Sequence, residues 1–498
     1  MAPEQDSTSK KRPHVCVVGA GISGLRCADM LLAEGFEVTI LEARNRIGGR
    51  ICQSEELGYP IDLGPNWIHD WAQVGHAEPH PILQLAIETS TPMHHWNDKQ
   101  LLFDSAGHSV PQETADRLSA LLWDILESGF RFSQEAYDRG TATSIPAGDS
   151  LYEYVERRAR QLVPNENEQQ LLAQMSEMFG GYVGMSIRKQ SLRFAWLEQC
   201  CNGEAAFVES DFSGIVQRVA RPAIDRASVL LNTAVTSILT PQSRELERQV
   251  QVTVTSGATF LFDEVVMSVP LGWLKRNLAA FTPPLPERLA RAVQSLGLAH
   301  LEKIFVTFPT AFWRAGSAED EFPCYTNWLA PGYAPAQNPE RWPMEAWDVS
   351  AFRPPNDRPA LLFYMYGDCS KHVVNLVHGK APEEKTRLLV EFLRPYFSLL
   401  PGYDATDARC APTAAVVTEW LQDEWSGYAS YCNFQVGIDQ AVQDVLAIRQ
   451  GSPDRRLWFC GEHTAQFEEC GTVAGAYLSG QAVGERIVKL YSAACEAA

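Results

Sequence analysis

The stretch from His14 to Glu42 constrains this chain more than any other. HVCVV is a short, Val-rich apolar run of the kind that makes a buried parallel strand. Gly19-Ala-Gly21-Ile-Ser23-Gly24 follows it, and apolar residues then recur at helical spacing from Ile22 to Glu34. Gly35 stands where a left-handed helix cap is wanted, and a second apolar run, VTILE, ends at Glu42. Strand, glycine turn, helix, strand is a βαβ unit, because parallel strands need a crossover between them. A GxGxxG triplet alone is a weak signal, but this one lies after a strand and opens a helix. Gly19 makes the tight turn, Gly21 lets the backbone approach a pyrophosphate, and Gly24 lets the helix pack close to the strand. The N-terminus of the helix, which carries Ser23, offers N–H groups and a positive partial charge to phosphates. Glu42 can accept hydrogen bonds from ribose hydroxyls and would repel a 2′-phosphate, which disfavours NADP. The plain alternative is a glycine-rich turn without function.

The residues after Glu42 narrow the choice of dinucleotide. Ala43-Arg44-Asn-Arg46-Ile-Gly48-Gly49-Arg50 sets two adjacent glycines between arginines. That pattern makes a second phosphate-approach loop with its own counter-charge. NAD does not need such a loop, whereas a longer, bent FAD does. A basic turn that only pairs with acidic surface groups is the alternative.

The rest of the chain reads as mixed α and β structure. Residues 114–139 and 151–174 have helical patterning, and the region 228–269 splits into the short strands SVLLN, VTSIL, VQVTVT, TFLF and EVVMSVP. The Trp- and Pro-rich region 313–347 reads as long loops and edge strands. RLWFCGEH is a strand that runs into a turn, and 471–490 is a helix that starts with small residues. No repeat or low-complexity linker separates these parts, so they are interleaved rather than strung in series.

Composition closes off other classes. Lys and Arg number 42 against 61 Asp and Glu, a net charge of -19, which argues against a nucleic-acid surface. It suits a cationic substrate, or simply solubility. The 12 cysteines include no CxxC pair, so neither a zinc site nor a thioredoxin-type redox pair is expected, and no metal is. All of them, the adjacent Cys200 and Cys201 included, read as reduced thiols. Residues 1–12 read as a flexible polar tail without a signal core, no stretch is apolar enough to span a bilayer, and the end, CEAA, is no recognised membrane or peroxisomal signal. The expectation is a cytoplasmic protein, monomer or homodimer, with no nucleic-acid or membrane partner.

With these motifs in view, the chain resembles the flavin amine oxidases. The resemblance rests on EARxRxGGR after the second strand, on Leu63-Gly64-Pro65-Asn66-Trp67-Ile-His69, on Val265 to Lys275 (VVMSVPLGWLK), on Phe459-Cys-Gly461-Glu462-His-Thr464, and on Gly471-Thr472-Val473 with Gly475 to Gly480. They fall in order across nearly the whole chain. Within the family the Trp-Ile-His form is most similar to animal and fungal polyamine and spermine oxidases, and also to the oxidase part of lysine-specific histone demethylases. The resemblance implies an α/β fold with a Rossmann-like FAD-binding domain built from 13–92, 205–305 and 408–492. An α+β substrate-binding domain of 93–204 and 306–407 is inserted between those segments. It also implies that Gly64, Pro65, Asn66, Trp67, Val235, Gly461, Glu462, Gly471, Thr472 and Val473 join the two glycine loops in holding FAD. Trp420 and Trp425 bracket a family tryptophan motif near the flavin, although both also serve as large core residues. Ala429 stands where a covalent flavin cysteine would be, so the FAD is non-covalent.

The chemistry expected at such a site is loss of a hydride equivalent from the carbon beside an amine nitrogen to flavin N5, then reoxidation by dioxygen to hydrogen peroxide. Alternation along LEKIFVTF puts Leu301, Lys303, Phe305 and Thr307 on one strand face. A lysine among apolar neighbours is costly without a task, and the resemblance gives Lys303 that of holding a water against N5. A lysine reaching solvent from a strand edge is the alternative. Tyr431 matches one wall of the aromatic cage that holds the amine. The other wall is a tyrosine in some relatives and Thr472 here, with Phe467 a possible replacement. His69 lines the substrate channel in the animal-type enzymes, where plant-type enzymes carry an acid, and it titrates near neutrality. It equally suits a capping or core role. Glu198 is a candidate acid for the distal amine of a polyamine. The substrates implied are polyamines, with a different amine, a histone-demethylase-like activity or a non-catalytic FAD-binding role as alternatives. A single GxGxxG argues against an NADPH-dependent monooxygenase.

Overall fold

The computed structural model describes residues 12–69, 80–96, 99–199, 205–244, 249–314, 322–323 and 325–496. The tail 1–11 and the pair Cys200 and Cys201 lie outside them. The chain is mixed α/β. One sheet is five-stranded and wholly parallel, in the order Leu457–Phe459, Glu264–Met267, His14–Val18, Glu37–Leu41, Ser228–Leu230. Its strands are apolar on both faces, and both faces are covered, as parallel sheets require. Helices Ile22–Ala33, Ser213–Arg226 and Val473–Glu496 pack on one side. Helix Val473–Glu496 comes so close to Ile22–Ala33 that a Cβ on Gly480 would lie 2.0 Å from the Ser23 carbonyl oxygen. The small residues that open this helix are the reason it can seat there.

The second large sheet is six-stranded. Its order is Ala414–Val417, Leu301–Thr307, Ala360–Tyr366, Met344–Asp348, Tyr325–Trp328, Gln100–Phe103. The alternation of side chains divides its faces. Ile304, Val306, Ala346, Phe363 and Met365 pack in the core that holds Val373, Val377, Leu389 and Phe392 of helices Gly367–Val377 and Pro382–Phe397. Phe305, Trp347, Leu362 and Tyr364 pack on the other side with Trp67 and Phe207. The boundary read at 305/306 falls inside strand Leu301–Thr307, so that strand runs out of the segments assigned to the cofactor domain and into this sheet.

Two readings of local structure are corrected. The helix expected over 151–174 is two helices, Leu151–Leu162 and Glu166–Met175. Pro164 forbids continuation, and Asn165 caps the second helix by accepting from the Asn167 and Glu168 amides. The first opens with a full capping box between Ser150 and Glu153. The region 313–347 holds interior strands, not edge strands: Tyr325–Trp328 and Met344–Asp348 both have partners on each side. Among the described residues no helix is long and apolar enough to cross a membrane.

Candidate active site

A cavity of about 1280 Å³ runs from the glycine turn of the parallel sheet to the aromatic face of the six-stranded sheet. It exceeds the roughly 300–1,000 Å³ of an ordinary small-molecule site. Nearly every candidate residue lines it: Gly19, Gly21, Ser23, Glu42, Ala43, Arg44, Gly48, Gly49 and Arg50 at one end, and Gly64, Pro65, Asn66, Trp67, His69, Glu198, Lys303 and Tyr431 further on. Val235, Trp420, Trp425, Gly461, Glu462, Gly471, Thr472 and Val473 complete that set. Gly24 does not line it. A Cβ there would lie 2.2 Å from the Gly19 carbonyl oxygen and 2.5 Å from Ser268 Oγ, so its hydrogen side chain serves helix–strand contact.

The first end fits a dinucleotide. Gly19 has φ +106°, a conformation that favours glycine, and its amide donates to the Leu41 carbonyl at 2.8 Å. Helix Ile22–Ala33 begins at Gly21 with no side chain capping its first amides, so those donors face the cavity. A Cβ on Gly21 would meet nothing within 4 Å, which leaves a gap of the kind a pyrophosphate needs. Gly48 pairs back onto Gly21, its amide donating to the Ala20 carbonyl at 2.9 Å, and brings the second glycine loop alongside the first. Glu42 accepts from the Ala20 amide at 2.7 Å and the Arg44 amide at 2.8 Å. Each carboxylate oxygen keeps a further lone pair for a ribose hydroxyl. Arg44 pairs with Asp423 at 2.7 Å and Arg50 with Glu462 at 3.0 Å. Neither arginine is an uncompensated charge, though each has other N–H donors to offer. The space and this donor set fit FAD.

Lys303 stands midway, 4% exposed. Its Nζ donates to the carbonyl oxygens of Asp62, at 2.8 Å, and Gly64, and to Asn66 Oδ1 at 2.5 Å. Burial drives the amine below the ordinary lysine range, while the Asp62 carboxyl pulls the other way. The strand face explains its direction, and two neighbours hold the strap 62–66 against it. Tyr364, opposite Lys303 in the sheet register, donates its hydroxyl to Asn66 Oδ1 at 2.8 Å. Trp420 donates Nε1 to the Leu63 carbonyl at 3.2 Å. The turn carrying Trp420 is fixed by the buried Glu302, which accepts from the Leu421 amide at 2.9 Å.

The far end carries the residues expected to face a substrate. Tyr431 donates to the Tyr182 carbonyl at 2.9 Å, which sets its ring in the wall. Thr472 is no aromatic wall: its hydroxyl accepts from the Gly475 amide at 2.9 Å and donates to the carbonyl and carboxylate of Glu469. Phe467 does not replace it, because its ring packs on Trp196 at 5.5 Å, with Arg449 over it, and it is not among the lining residues. Burial lowers the pKa of His69, and the carboxyl of Glu469 opposes that. Glu198 accepts from the Phe434 amide at 2.9 Å, and burial pushes its carboxyl up to about 8.

Sequence reasoning missed the aromatic floor beyond Lys303. Trp347 stacks on Tyr325 with centroids 4.9 Å apart and meets the edge of Trp67 at 4.9 Å, and Trp96 joins them. The signal was present in YTNW and MEAWD, where ring and core residues alternate with the strand period, but loop assignment hid it. Ser268 was missed as well. Its hydroxyl bridges the carbonyls of Val18 and Gly19 and shapes the first glycine turn.

Comparison with known proteins finds a family and several relatives. The model of a family described as flavin containing amine oxidoreductase covers residues 22–488. Polyamine oxidase 4 of Oryza sativa subsp. japonica is 27% identical over 98% of this chain and 91% of the relative. Probable polyamine oxidase 4 of Arabidopsis thaliana is 26% identical over 94% and 86%. Lysine-specific histone demethylase 1 homolog 3 of Arabidopsis thaliana is 26% identical over 96% of this chain, but only 30% of that relative is spanned.

Proposed function

Because the chain belongs to the flavin containing amine oxidoreductase family and its cofactor is non-covalent FAD, we propose that it is a polyamine oxidase that uses dioxygen and forms hydrogen peroxide. The observation that carries this reading is one continuous cavity joining the dinucleotide loops, the buried Lys303 and the acidic, aromatic far end. In it the parallel sheet and its helices act as a Rossmann-like FAD-binding part, and the six-stranded sheet belongs to the substrate-binding part.

When bound, FAD supplies the acceptor for two electrons and the hydrogen from the carbon beside nitrogen. The protein positions and protonates. The Tyr431 ring offers its face to an amine cation and aims the adjacent carbon. His69, kept neutral by burial, adds no positive charge to repel that cation and can accept a hydrogen bond from substrate nitrogen. Glu198 takes a second, distal ammonium. A carboxyl raised to about 8 holds its proton at neutral pH and loses it when a cation arrives.

That last point fixes a sign. Between about pH 7 and about pH 9 the resting Glu198 passes from carboxylic acid to carboxylate, so polyamine affinity rises with pH across this window. Glu198→Gln is expected to flatten the rise and to increase KM about 10- to 100-fold at its upper end, the worth of a hydrogen bond to a charged group. A KM that keeps the wild-type pH profile in the variant would remove Glu198 from substrate binding.

A second reading, oxidation of a bulky ring-bearing amine, has the stacked Tyr325, Trp347 and Trp67 in its favour. Anaerobic addition of single amines to the FAD-loaded protein separates the two. Bleaching of the flavin band by spermine, spermidine or their N-acetyl forms is the expected result. Bleaching by ring-bearing monoamines alone selects the second reading, and bleaching by none defeats both.

A further inference from the structure

Lys303 lines the large cavity, and three of its neighbours, Asp62, Asn66 and Phe305, line a second. The second measures about 60 Å³ and is lined by Tyr59, Asp62, Asn66, Phe305 and Arg358 among others. Among the described residues Asn66 alone lines both, and its side-chain oxygen accepts from Lys303. Phe305, two residues along the strand, shares the face of Lys303, whose Nζ lies 5.8 Å from the ring centroid. Asp62 lines the second cavity and is 1% exposed, and its backbone oxygen accepts from Lys303. The outer end is set by half-buried Asn356 and Arg358, with Arg358 over the Tyr59 ring at 5.0 Å. The Tyr59 hydroxyl is buried without a hydrogen-bond partner. A space of this volume, with the Asp62 carboxyl, the Asn66 amide and an orphaned Tyr59 hydroxyl set in an otherwise largely apolar wall, has room for water.

We propose that this second cavity is a water-filled proton path from the surface near Arg358 through Asp62 to Lys303, separate from the cavity that takes cofactor and substrate. The inference rests on the dioxygen-dependent oxidase reading above. The overall step is CH–NH plus O2 giving C=N plus H2O2. The hydride from carbon carries two electrons and one proton, and the nitrogen sheds its proton as the imine forms. Dioxygen needs two electrons and two protons, so one proton must return to the site in each cycle. With FAD filling the large cavity on one side of Lys303, a route through the residues on its other side delivers it. Burial pushes the Asp62 carboxyl up and the Lys303 amine down, which narrows the gap a proton must cross between them. Asp62 also faces the Gln53 amide, the Phe212 N–H and the charge of Asp211, and Lys303 feels Cys52 and Glu302. None of these adds a second cation.

The test plugs the path without touching Lys303. Asn356→Trp fills its outer end and Ser210→Trp its wall. Each FAD-loaded variant is photoreduced without substrate and mixed with oxygenated buffer. Reoxidation is expected to slow at least about tenfold. Carbamylation of Lys303 by cyanate, followed by mass spectrometry on the FAD-loaded protein, is expected to fall in parallel. Wild-type rates of both in either variant overturn the path. Because photoreduction needs no amine, slowed reoxidation in a protein that no amine bleaches keeps the path and discards the amine reading.

Discussion

Lys303→Met is expected to fold, retain FAD and be reduced by amine at close to the wild-type rate, while its reduced form reacts with dioxygen about 100- to 10,000-fold more slowly. Methionine keeps most of the length of lysine and removes only the nitrogen. That nitrogen donates to three oxygens, of Asp62, Gly64 and Asn66. Leaving such acceptors unpaired costs ~1–3 kcal/mol each, and the cost is offset by no longer burying an amine that pays for its desolvation. The strap 62–66 keeps its other anchors, Tyr364 on Asn66 and Trp420 on Leu63, so the cofactor pocket survives. The sign of the pH effect follows from the lysine. Burial depresses its pKa, so its ammonium is lost at lower pH than an ordinary lysine's. Wild-type reoxidation therefore slows as pH rises through that transition, and the variant has no such step. Stopped-flow mixing of the reduced enzyme with dioxygen measures both, and unchanged reoxidation would falsify the role.

The second large effect separates two glycines of one motif. Gly21→Val is expected to give a folded protein whose FAD affinity falls at least about 100-fold, ~2.7 kcal/mol. Gly21 has φ −73°, ψ 170°, a conformation open to any residue, and the space at its Cβ is empty. The added side chain therefore enters the room a pyrophosphate needs. Gly24→Val is expected to destabilise the fold by about 3 kcal/mol or more whether or not FAD is present, because its Cβ would meet backbone at 2.2 Å. Thermal melts of the two apoproteins, with flavin binding by fluorescence, distinguish them. A Gly21→Val protein that purifies yellow would show that no phosphate passes there.

Much of the site was legible because its parts depend on local backbone chemistry. A glycine at φ +106° and an uncapped helix start can be read from GxGxxG between a strand and a helix. The face of Lys303 follows from the strand period. The break at Pro164 was equally written in the residues and was missed by following apolar spacing past it. The Trp-rich region was misjudged for another reason. Trp328 and Trp347 look like loop residues beside so many prolines, but they lie in strands that have neighbours on both sides.

The sequence by itself determined the strand, glycine turn and helix at one end of the large cavity, since turn geometry and the acid at Glu42 act over a few residues. It also singled out Lys303 and Tyr431 as candidates, though not what surrounds them. Only the tertiary structure decided that Thr472 caps a helix instead of walling a cage, that desolvation pushes the Glu198 carboxyl up, and that a second cavity lies against Asp62 and Asn66 beside Lys303. Burial, desolvation and shared cavity walls arise between residues hundreds of positions apart, and no local pattern encodes them.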